Sequence, residues 1–498
     1  MFALPAHHGK GTDPLKILIL GGGVTGLFLA FELLSRSDIS VEVVIAEANP
    51  FVGGMAASFE YEGLYFDYGS HRLHATVSPS VIQKIKSVVG PDLLYRRRNG
   101  RIRLGGSFVK FPMNPIDMAQ HFTGRFLAAI LLDSVFKYFR PRRKCARSFA
   151  DVLLKGLGET VCNAFYFPYA RKLWGLDPEE IAADQARGRV SAYTTARILK
   201  KALSFIPGFG KRGVGHFFYP RRGFGQICDS IAAEVHRLGG RISLSSRIRK
   251  IRVGNGRGLA VVAGDNGRPR NVAHRTNQAG FTELRADMVF STIPITDLVD
   301  CVQPQPSIEV ANASQRLRYR GLVLLYLVLQ TKTFTPFDTH YFPEDSVCFS
   351  RLSEPKNYSG CDESSGTTGL CVEIPCWVGD DHWNASLHEL IRVVLEQLES
   401  SGLPVRVPVK TAFIRRLSHA YPLHDLNYKR HFRTVEKHLT QLKSLVVLGR
   451  QGVFVHDNTH HALQMASAAS RCLSSDGSWD ADKWWEYTKK FEAFVVED

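Results

Sequence analysis

Three histidines and an aspartate stand close together in "GRQGVFVHDNTHH" (449–461), where imidazole and carboxylate groups could bind a metal or transfer protons. They follow the apolar run "LVVL" and a glycine, a pattern typical of a strand that runs into a turn. His456 precedes the helix that we predict to begin near Asn458, whereas the adjacent His460 and His461 should point to different faces of that helix. With no matching second pair of ligands, we expect no metal and interpret the segment as strand, glycine turn and helix.

A second stretch that could do chemistry is "LKILILGGGVTGLFLAFELL" (15–34), which indicates a strand, a glycine turn and a helix. Gly21, Gly23 and Gly26 form G-x-G-x-x-G: the first permits a tight turn, the second a close approach to a pyrophosphate, and the third close packing of helix on strand. The next predicted strand, "VEVVIAE", ends in Glu47, where an acid binds the adenosine ribose hydroxyls and disfavours a 2′-phosphate. These elements in this order predict a dinucleotide site. We assign Val24, Thr25 and Ala48 to the same site.

The segment "NPFVGGMAASFEYEGLYFDYGSHRLH" (49–74) adds a second glycine pair, Gly53 and Gly54, followed by Met55 and Ala56. With the preceding motifs, it resembles the large flavoprotein group of amine oxidases, protoporphyrinogen oxidases, phytoene desaturases and UDP-galactopyranose mutases. The resemblance implies FAD as cofactor. It also implies an α/β fold, in which a Rossmann-like FAD-binding domain of the GR2 type is interleaved with an α+β substrate domain.

The chain is expected to return to the FAD-binding domain twice. We predict that this domain comprises 14–75, 215–295 and 441–475, and that 76–214 and 296–440 form the substrate-binding domain, the former helical and basic and the latter a sheet. A closing helix is predicted for 476–498, because its aromatic spacing favours packing. Residues 254–280 are interpreted as a hairpin excursion.

The resemblance also implies which residues lie near the flavin. "FDYGSHRLH" would run under the isoalloxazine, with Gly69, Ser70 and His71 along its face and Arg72 near a phosphate or the ring. The segment after "VHRLGGRI", with Ile248, would touch the adenine side. The last return would bring Gly449, Arg450, Asn458, Thr459 and His460 to the ring, where a helix N-terminus stabilises negative charge. His71, Arg72 and His460 are our candidates for a catalytic role.

A bound flavin between apolar strands favours hydride removal from a fairly large, biosynthetic substrate to flavin N5 by an oxidase, dehydrogenase or desaturase. Oxygen or another acceptor would restore the flavin. A UDP-galactopyranose mutase-like isomerase, which uses reduced FAD as a nucleophile, remains open, because "GRQGVF", "FDYGSHRLH" and "YARKLWG" resemble both branches. A cofactor-binding protein without turnover is a third possibility. No cysteine is suitably placed for covalent attachment, since Cys472 lies at the far end of the last helix, so we expect noncovalent FAD.

Composition sets the remaining expectations. The chain has 498 residues, 44% hydrophobic and 22% charged, with a net charge of +16. Only this charge supports nucleic-acid binding, which we do not expect, and the segment 124–147, an apolar helix followed by a basic cluster, gives weak support for peripheral membrane contact. The start "MFALPAHHGKGTDP" resembles a short lead-in without a secretory signal, and the scattered cysteines suggest reduced thiols, so the cytoplasm is the expected compartment. The oligomeric state stays open.

Overall fold

The structure, a computed structural model, describes residues 13–111, 117, 120–136, 146–189, 215–252, 260–266, 281–360, 366–492 and 494–496. Several predicted features therefore fall wholly or partly outside the described residues. These are the lead-in before residue 13, the basic cluster after the helix at 124–136, and most of the predicted hairpin at 254–280.

Both strands and helices are distributed along the described chain, often in runs of one type. The strands are β1 (Leu15–Leu20), β2 (Val41–Ala46), β3 (Ser58–Tyr61), β4 (Leu64–Asp67), β5 (Leu73–His74), β6 (Leu93–Arg97), β7 (Gly100–Leu104), β8 (Ser107–Phe111), β9 (His216–Pro220), β10 (Arg241–Ser243), β11 (Ser246–Arg252), β12 (Ala260–Asn266), β13 (Phe281–Ala286), β14 (Met288–Ser291), β15 (Val302–Gln303), β16 (Tyr319–Leu329), β17 (Thr339–Tyr341), β18 (Arg351–Ser353), β19 (Thr368–Cys376), β20 (Val409–Pro422) and β21 (Leu445–Val447). The helices are α1 (Val24–Leu34), α2 (Pro79–Val89), α3 (Gly124–Phe136), α4 (Phe149–Leu157), α5 (Phe167–Trp174), α6 (Ala183–Arg189), α7 (Gln226–Arg237), α8 (Ile295–Cys301), α9 (Ile308–Arg316), α10 (Pro355–Ser359), α11 (Asp381–Asn384), α12 (Leu387–Ser400), α13 (Tyr428–Leu439), α14 (Gly449–Gly452), α15 (Thr459–Cys472) and α16 (Ala481–Phe491). Shorter helical turns lie at Gly54–Ala56, Gly90–Asp92, Glu159–Val161 and Cys162–Tyr166.

A five-stranded parallel sheet, with the order β10-β2-β1-β14-β21, unites the first part of the chain with the two predicted returns. Ile17 and Ile19 of β1 face one helical layer and Leu18 and Leu20 face the other, because successive side chains of a strand point to opposite faces. Burial on both faces explains why β1 is almost entirely apolar. The predicted α/β fold with a Rossmann-like sheet is confirmed.

Helices cover both faces of the parallel sheet. The first face packs against α1, α7 and α15, and the second against α8, α9 and α13. The apolar helix α1 contains one buried acid, Glu32, which accepts hydrogen bonds from Lys84 Nζ at 2.6 Å and Ser467 Oγ at 2.9 Å. Because both partners lie on neighbouring helices, this acid fixes the positions of α2 and α15 relative to α1.

A seven-stranded mixed sheet, with the order β20-β16-β19-β18-β17-β7-β8, forms the second large layer. Its longest buried strand, β16, pairs antiparallel with β19 and β20, as the apolar run "GLVLLYLVL" suggests. The prediction that 76–214 is helical was incomplete, because β6, β7 and β8 lie between 93 and 111. β7 and β8 are short hairpin strands whose sheet partner, β17, is remote in sequence.

The last described helix, α16, packs against α15, as the predicted closing helix should. Trp479 and Trp484 contact the core on the first face of the parallel sheet. Within the described part of the chain, no helix is both long and apolar enough to cross a membrane. The described cysteines at 228, 301, 348, 371, 376 and 472 are free thiols.

Candidate functional site

A cavity of about 1180 Å³ opens where the parallel strands end. The residues that follow β2, β1 and β14, which are Glu47, Gly21 and Thr292, all lie on its wall, and Arg450 enters from beyond β21. The carboxyl edge of a parallel sheet is where such folds bind ligands. The predicted site residues on the wall are Gly21, Gly23, Val24, Thr25, Glu47, Ala48, Gly53, Gly54, Met55, Ala56, His71, Ile248, Arg450 and Thr459.

The three fingerprint glycines occupy different surroundings. Gly21 has φ +99°, which favours glycine, and a Cβ there would lie 2.5 Å from Thr292 Oγ1. A Cβ on Gly26, which does not line the cavity, would lie 2.1 Å from the Gly21 carbonyl oxygen, so this glycine lets α1 pack against the turn. A Cβ on Gly23 would meet no protein atom within 4 Å and would project into open space at the start of α1. Gly23 therefore keeps open a volume that a ligand's pyrophosphate could occupy.

Glu47 is held in place beside this turn and is only 5% exposed. Its Oε2 accepts a hydrogen bond from Gly22 N at 2.7 Å, and its Oε1 accepts from Asn49 N at 2.8 Å and Asn49 Nδ2 at 2.7 Å. Because these donors fix the carboxylate while it still contacts the cavity, it is oriented to accept hydroxyl donors from a ligand.

The second glycine pair packs directly on the fingerprint turn. Gly53 N donates to Gly22 O at 2.8 Å, and Gly53 and Gly54 have φ values of +100° and +55°. Both conformations are left-handed and favour glycine. The pair brings Met55 and Ala56 to the cavity wall next to the dinucleotide turn.

The loop after β4 is anchored by Asp67. This buried carboxylate accepts hydrogen bonds from Ser58 Oγ at 2.6 Å, Tyr219 Oη at 2.6 Å and Phe224 N at 2.9 Å. Burial raises the pKa of Asp67 to about 6, although these donors oppose the shift. Asp67 thus ties β3, β4 and the start of the first return (215–295) together, but its oxygens are used by the protein.

Ser70 and His71 continue this loop. Ser70 N donates to Glu373 Oε1 at 2.7 Å, and the other oxygen of Glu373 accepts from Arg351 Nε and Nη2 at 2.9 and 2.6 Å. His71 lines the cavity, where burial and the charges of Arg351, Arg450 and Arg72 lower its pKa to about 3. Its imidazole is therefore neutral at physiological pH. Gly69, with φ +103°, and Ser70 shape the loop and do not line the cavity.

Arg72 points away from the cavity, contrary to its expected position near a phosphate or ring. Its Nη2 donates to Thr339 Oγ1 at 2.6 Å and lies 3.7 Å from Asp338 Oδ1. Its guanidinium also lies over the rings of Phe217 and Tyr358. These partners come from distant parts of the sequence, so local spacing did not reveal the direction of the side chain.

The last return (441–475) supplies the opposite end of the cavity. Gly449 has φ +78° and packs against Thr25, and Arg450 and Thr459 reach the cavity wall. Asn458 precedes α15, and its backbone N donates to Nδ1 of His461 at 3.2 Å. This hydrogen bond satisfies a backbone donor that the helix start would otherwise leave unpaired. The N-terminus of α15 thus faces the cavity through Thr459.

The remaining histidines of this segment have structural positions. His456 Nε2 lies 2.6 Å from the Pro422 carbonyl oxygen, and the His460 ring lies 3.9 Å from that of His461 and 5.8 Å from that of His74. The expectation that adjacent rings point to different faces was therefore wrong. His460 is 3% exposed and does not line the cavity, so its position gives no support to a catalytic role. Among the described residues, no group of three or more histidine, cysteine, aspartate or glutamate side chains could hold a metal ion.

Several wall residues were missed by the sequence interpretation. Arg415, Ser418 and His419 reach the wall from β20, and Tyr68 and Asp457 reach it from segments whose other residues were selected. The β20 residues carry no local motif, since only the antiparallel pairing with β16 brings them to the site. Asp457 had a visible signal, an acid next to the predicted helix start, but its burial could not be read from the sequence.

The residues present fit a dinucleotide carrying a large ring system. Glu47 lies beyond β2 and Arg450 lies beyond β21, and β1 and β14 stand between these two strands. At roughly 4.8 Å between neighbouring strands, the two ends of the cavity are about 14 Å apart. The open space at Gly23 lies between them. The fixed acid at one end is complementary to a ribose. The helix N-terminus at the other end is complementary to a group that gains negative charge.

Comparison with solved structures shows the same fold in proteins of low sequence identity. Reduced UDP-galactopyranose mutase is 18% identical, with a TM-score of 0.78 over 97% of this chain and 98% of that chain. A protein assigned as a protoporphyrinogen oxidase from Exiguobacterium sp. 255-15 is 16% identical, with a TM-score of 0.67 over 93% and 99%. Cyclohexylamine oxidase from Brevibacterium oxydans IH-35A is 14% identical, with a TM-score of 0.60 over 96% and 100%. No curated protein sequence matches the chain.

The sequence profile described as "Flavin containing amine oxidoreductase" matches residues 24–465. The match begins at the helix of the dinucleotide motif, includes the first return and most of the second, and ends within α15. The predicted resemblance and the predicted cofactor, FAD, are therefore confirmed. This chain belongs to the flavin containing amine oxidoreductase family.

Proposed function

We propose that this chain is an FAD-dependent oxidoreductase that removes a hydride from a fairly large organic substrate and passes it to flavin N5. The observation that carries the proposal is the continuous cavity of about 1180 Å³, on whose wall the dinucleotide turn, Glu47, His71 and the start of α15 meet. Family membership supports the flavin-dependent redox chemistry. Oxygen or another small acceptor would then reoxidise the flavin.

The chain's own residues would divide the binding of FAD between the two ends of the cavity. Glu47 would accept the adenosine ribose hydroxyls, and the backbone at Gly23 and Val24 would bind the pyrophosphate at the start of α1. Met55, His71 and Thr459 would contact the ring region. Behind the wall, Gly26, Gly69, Ser70, Gly449 and Asn458 would support these contacts by shaping the turns and the start of α15.

Positioning and water exclusion are the main contributions expected from the protein at the ring end. Phe59 and Tyr68 give this part of the wall aromatic surface, and Phe59 also packs against Tyr326 and Phe413. Neutral His71 can exchange hydrogen bonds without adding positive charge. When bound, FAD supplies the hydride acceptance, and the dipole of α15 stabilises the negative charge that this brings.

A mutase-like isomerase is the alternative, and the overall fold agrees with it as well as with an oxidoreductase. Such an enzyme would need cations near the ring for a nucleotide diphosphate. The buried arginines behind His71 are already engaged, however: Arg351 pairs with Glu373 at 2.6 Å, and Arg72 lies 3.7 Å from Asp338. A diphosphate at Arg351 or Arg72 would have to compete with buried carboxylates, so a mutase would depend on the arginines of the cavity wall, such as Arg415 and Arg450.

Anaerobic absorbance spectroscopy of the purified yellow protein with NADH, and separately with NADPH, tests the proposal. We expect the oxidised flavin absorbance to persist, because the substrate of an oxidase or dehydrogenase reduces the flavin itself. Rapid bleaching would favour the mutase or an oxygen-activating enzyme, which need an external reductant. A colourless preparation that takes up no FAD would contradict the site itself.

The domain division and the compartment are also proposals. We propose an FAD-binding domain from 14–75, 215–295 and 441–475, and a substrate domain from 76–214 and 296–440. The packing of α9 and α13 on the parallel sheet suggests that the FAD-binding domain includes these helices as well. A cytoplasmic site of action, with a small-molecule substrate in a biosynthetic route, is consistent with the free thiols.

A further inference from the structure

Asp457 presents an unusual carboxyl group to the FAD cavity. It lies on the cavity wall and is only 7% exposed. Its Oδ2 is buried and has no hydrogen-bond partner among the residues that the structure describes. A buried carboxylate oxygen without a partner is costly, so this group should bind either a ligand donor or a proton.

The charges around Asp457 leave its protonation finely balanced. Burial raises the pKa of Asp457 to about 7, and the guanidinium of Arg450 opposes the shift. His71 and His460, from the loop after β4 and from α15, are both neutral, because burial lowers their pKa values to about 3 and about 4. His456, its neighbour in sequence, is hydrogen-bonded to the Pro422 carbonyl. Arg450 is thus the nearby cation that acts on this carboxyl.

The strand order indicates which end of the ligand Asp457 would meet. Asp457 follows β21, whereas Glu47 follows β2 on the other side of β1 and β14. If Glu47 binds the adenosine ribose, the ring system of FAD must lie toward Asp457 and the start of α15. This step rests on the proposed function.

We propose that Asp457 is a proton-exchanging residue of the ring end, which takes up one solvent proton on Oδ2 when FAD is reduced. A hydride from the substrate, or from a chemical reductant, delivers two electrons and one proton to FAD and adds one negative charge to the cavity. The Asp457 carboxylate then binds a second proton from solvent and becomes a neutral carboxylic acid. The cavity gains no net charge, and the proton returns to solvent on reoxidation by the acceptor.

The midpoint potential of the holoprotein, measured against pH with a reference dye, tests the inference without any substrate. If one proton is taken up with two electrons, the equilibrium constant for reduction changes tenfold per pH unit. The midpoint potential then changes by about 30 mV per pH unit, and uptake of a second proton doubles this slope. We expect wild type to show the doubled slope in a window around neutral pH and D457N to show the single slope throughout. The control E436Q removes a carboxyl whose pKa is also raised by burial but which lies on α13, outside this cavity, and it should retain the wild-type profile.

Equal profiles for wild type and D457N would overturn the inference, because the second proton would then reside elsewhere. If D457N does not retain FAD, a second experiment replaces the potential measurement. In it, infrared difference spectra are recorded on reduction of wild type and of D457E. A carboxylic-acid carbonyl band that appears on reduction in wild type and shifts in D457E supports the inference, and its absence refutes it. Failure of the proposed function is distinguishable, since rapid bleaching of wild type by NADH or NADPH would show it, whereas failure of this inference leaves that result unchanged and alters only the proton count.

Discussion

Replacing Gly23 with alanine should weaken FAD binding strongly and leave the apoprotein folded. Gly23 has φ −71° and ψ 175°, which alanine adopts without strain, and its Cβ would meet no protein atom within 4 Å. The free energy of unfolding of the apoprotein should therefore change by less than about 1 kcal/mol, the range for such a change at a helix N-cap. The methyl group would instead occupy the space of the pyrophosphate.

The expected loss of affinity follows from the hydrogen bonds to that pyrophosphate. If two backbone donors are displaced, at about 1.5 kcal/mol each for a charged acceptor, binding weakens by about 3 kcal/mol. The dissociation constant should then rise on the order of 100-fold. Titration of apoprotein with FAD, followed by flavin fluorescence, measures the constant, and thermal unfolding of the same samples measures stability.

The matched control is Gly26→Ala. Its Cβ would lie 2.1 Å from the Gly21 carbonyl oxygen, so α1 must shift from the turn, and overpacking of this kind costs about 1–3 kcal/mol or more. We expect G26A to lose stability as well as affinity, whereas G23A loses affinity alone. An FAD dissociation constant for G23A equal to that of wild type would refute the assignment of Gly23 to the pyrophosphate.

Four other outcomes are expected. E47Q keeps the shape of the acid but loses its charge, so FAD affinity should fall about fivefold, as charged hydrogen bonds exceed neutral ones by roughly 1 kcal/mol. The control in the same fluorescence titration is E42Q, at a half-buried acid that does not line the cavity, and equal affinities for E47Q and wild type would exclude the ribose contact. R351M leaves Glu373 buried without its cation, so the free energy of unfolding measured in urea should fall by about 3–5 kcal/mol. The double variant R351M/E373Q should recover most of this loss, and full stability of R351M would contradict the buried pair. The folded pKa of Asp457, about 7, exceeds its unfolded value, so the native state binds more protons between about pH 4 and pH 7 and loses stability as pH rises through that window. Apo D457N should therefore melt at a higher temperature than wild type at pH 8 but not at pH 4, and its free energy of unfolding at pH 8 should exceed that of wild type by at most about 4 kcal/mol; a difference independent of pH would count against this. Acid precipitation should leave the flavin in the supernatant, and yellow colour in the pellet would disprove noncovalent binding.

The dinucleotide half of the site could be predicted because its signals are local. The turn at Gly21–Gly23, the helix after it and the acid at Glu47 follow one another in sequence, and each needs its residue type for a nearby steric or hydrogen-bonding reason. Gly21, Gly23 and Glu47 lie together on one cavity wall, and their assignment to a bound dinucleotide stays a prediction.

The ring half was less predictable because remote partners determine side-chain directions. Arg72 is drawn from the cavity by Thr339 and Asp338, and His460 packs beside His74 of β5. None of these three partners is near in sequence to the residue it contacts. Asp457 was overlooked for the converse reason, since only the folded chain shows that its carboxyl oxygen is buried at the cavity without a partner.

A crystal structure of the protein with FAD tests the central claim most directly. We expect the adenosine ribose at Glu47, the pyrophosphate at Gly23 and the ring between His71 and the start of α15, with Asp457 at that end. An FAD molecule in the reverse orientation, or outside the cavity that these residues line, would contradict the proposed site and the role inferred for Asp457.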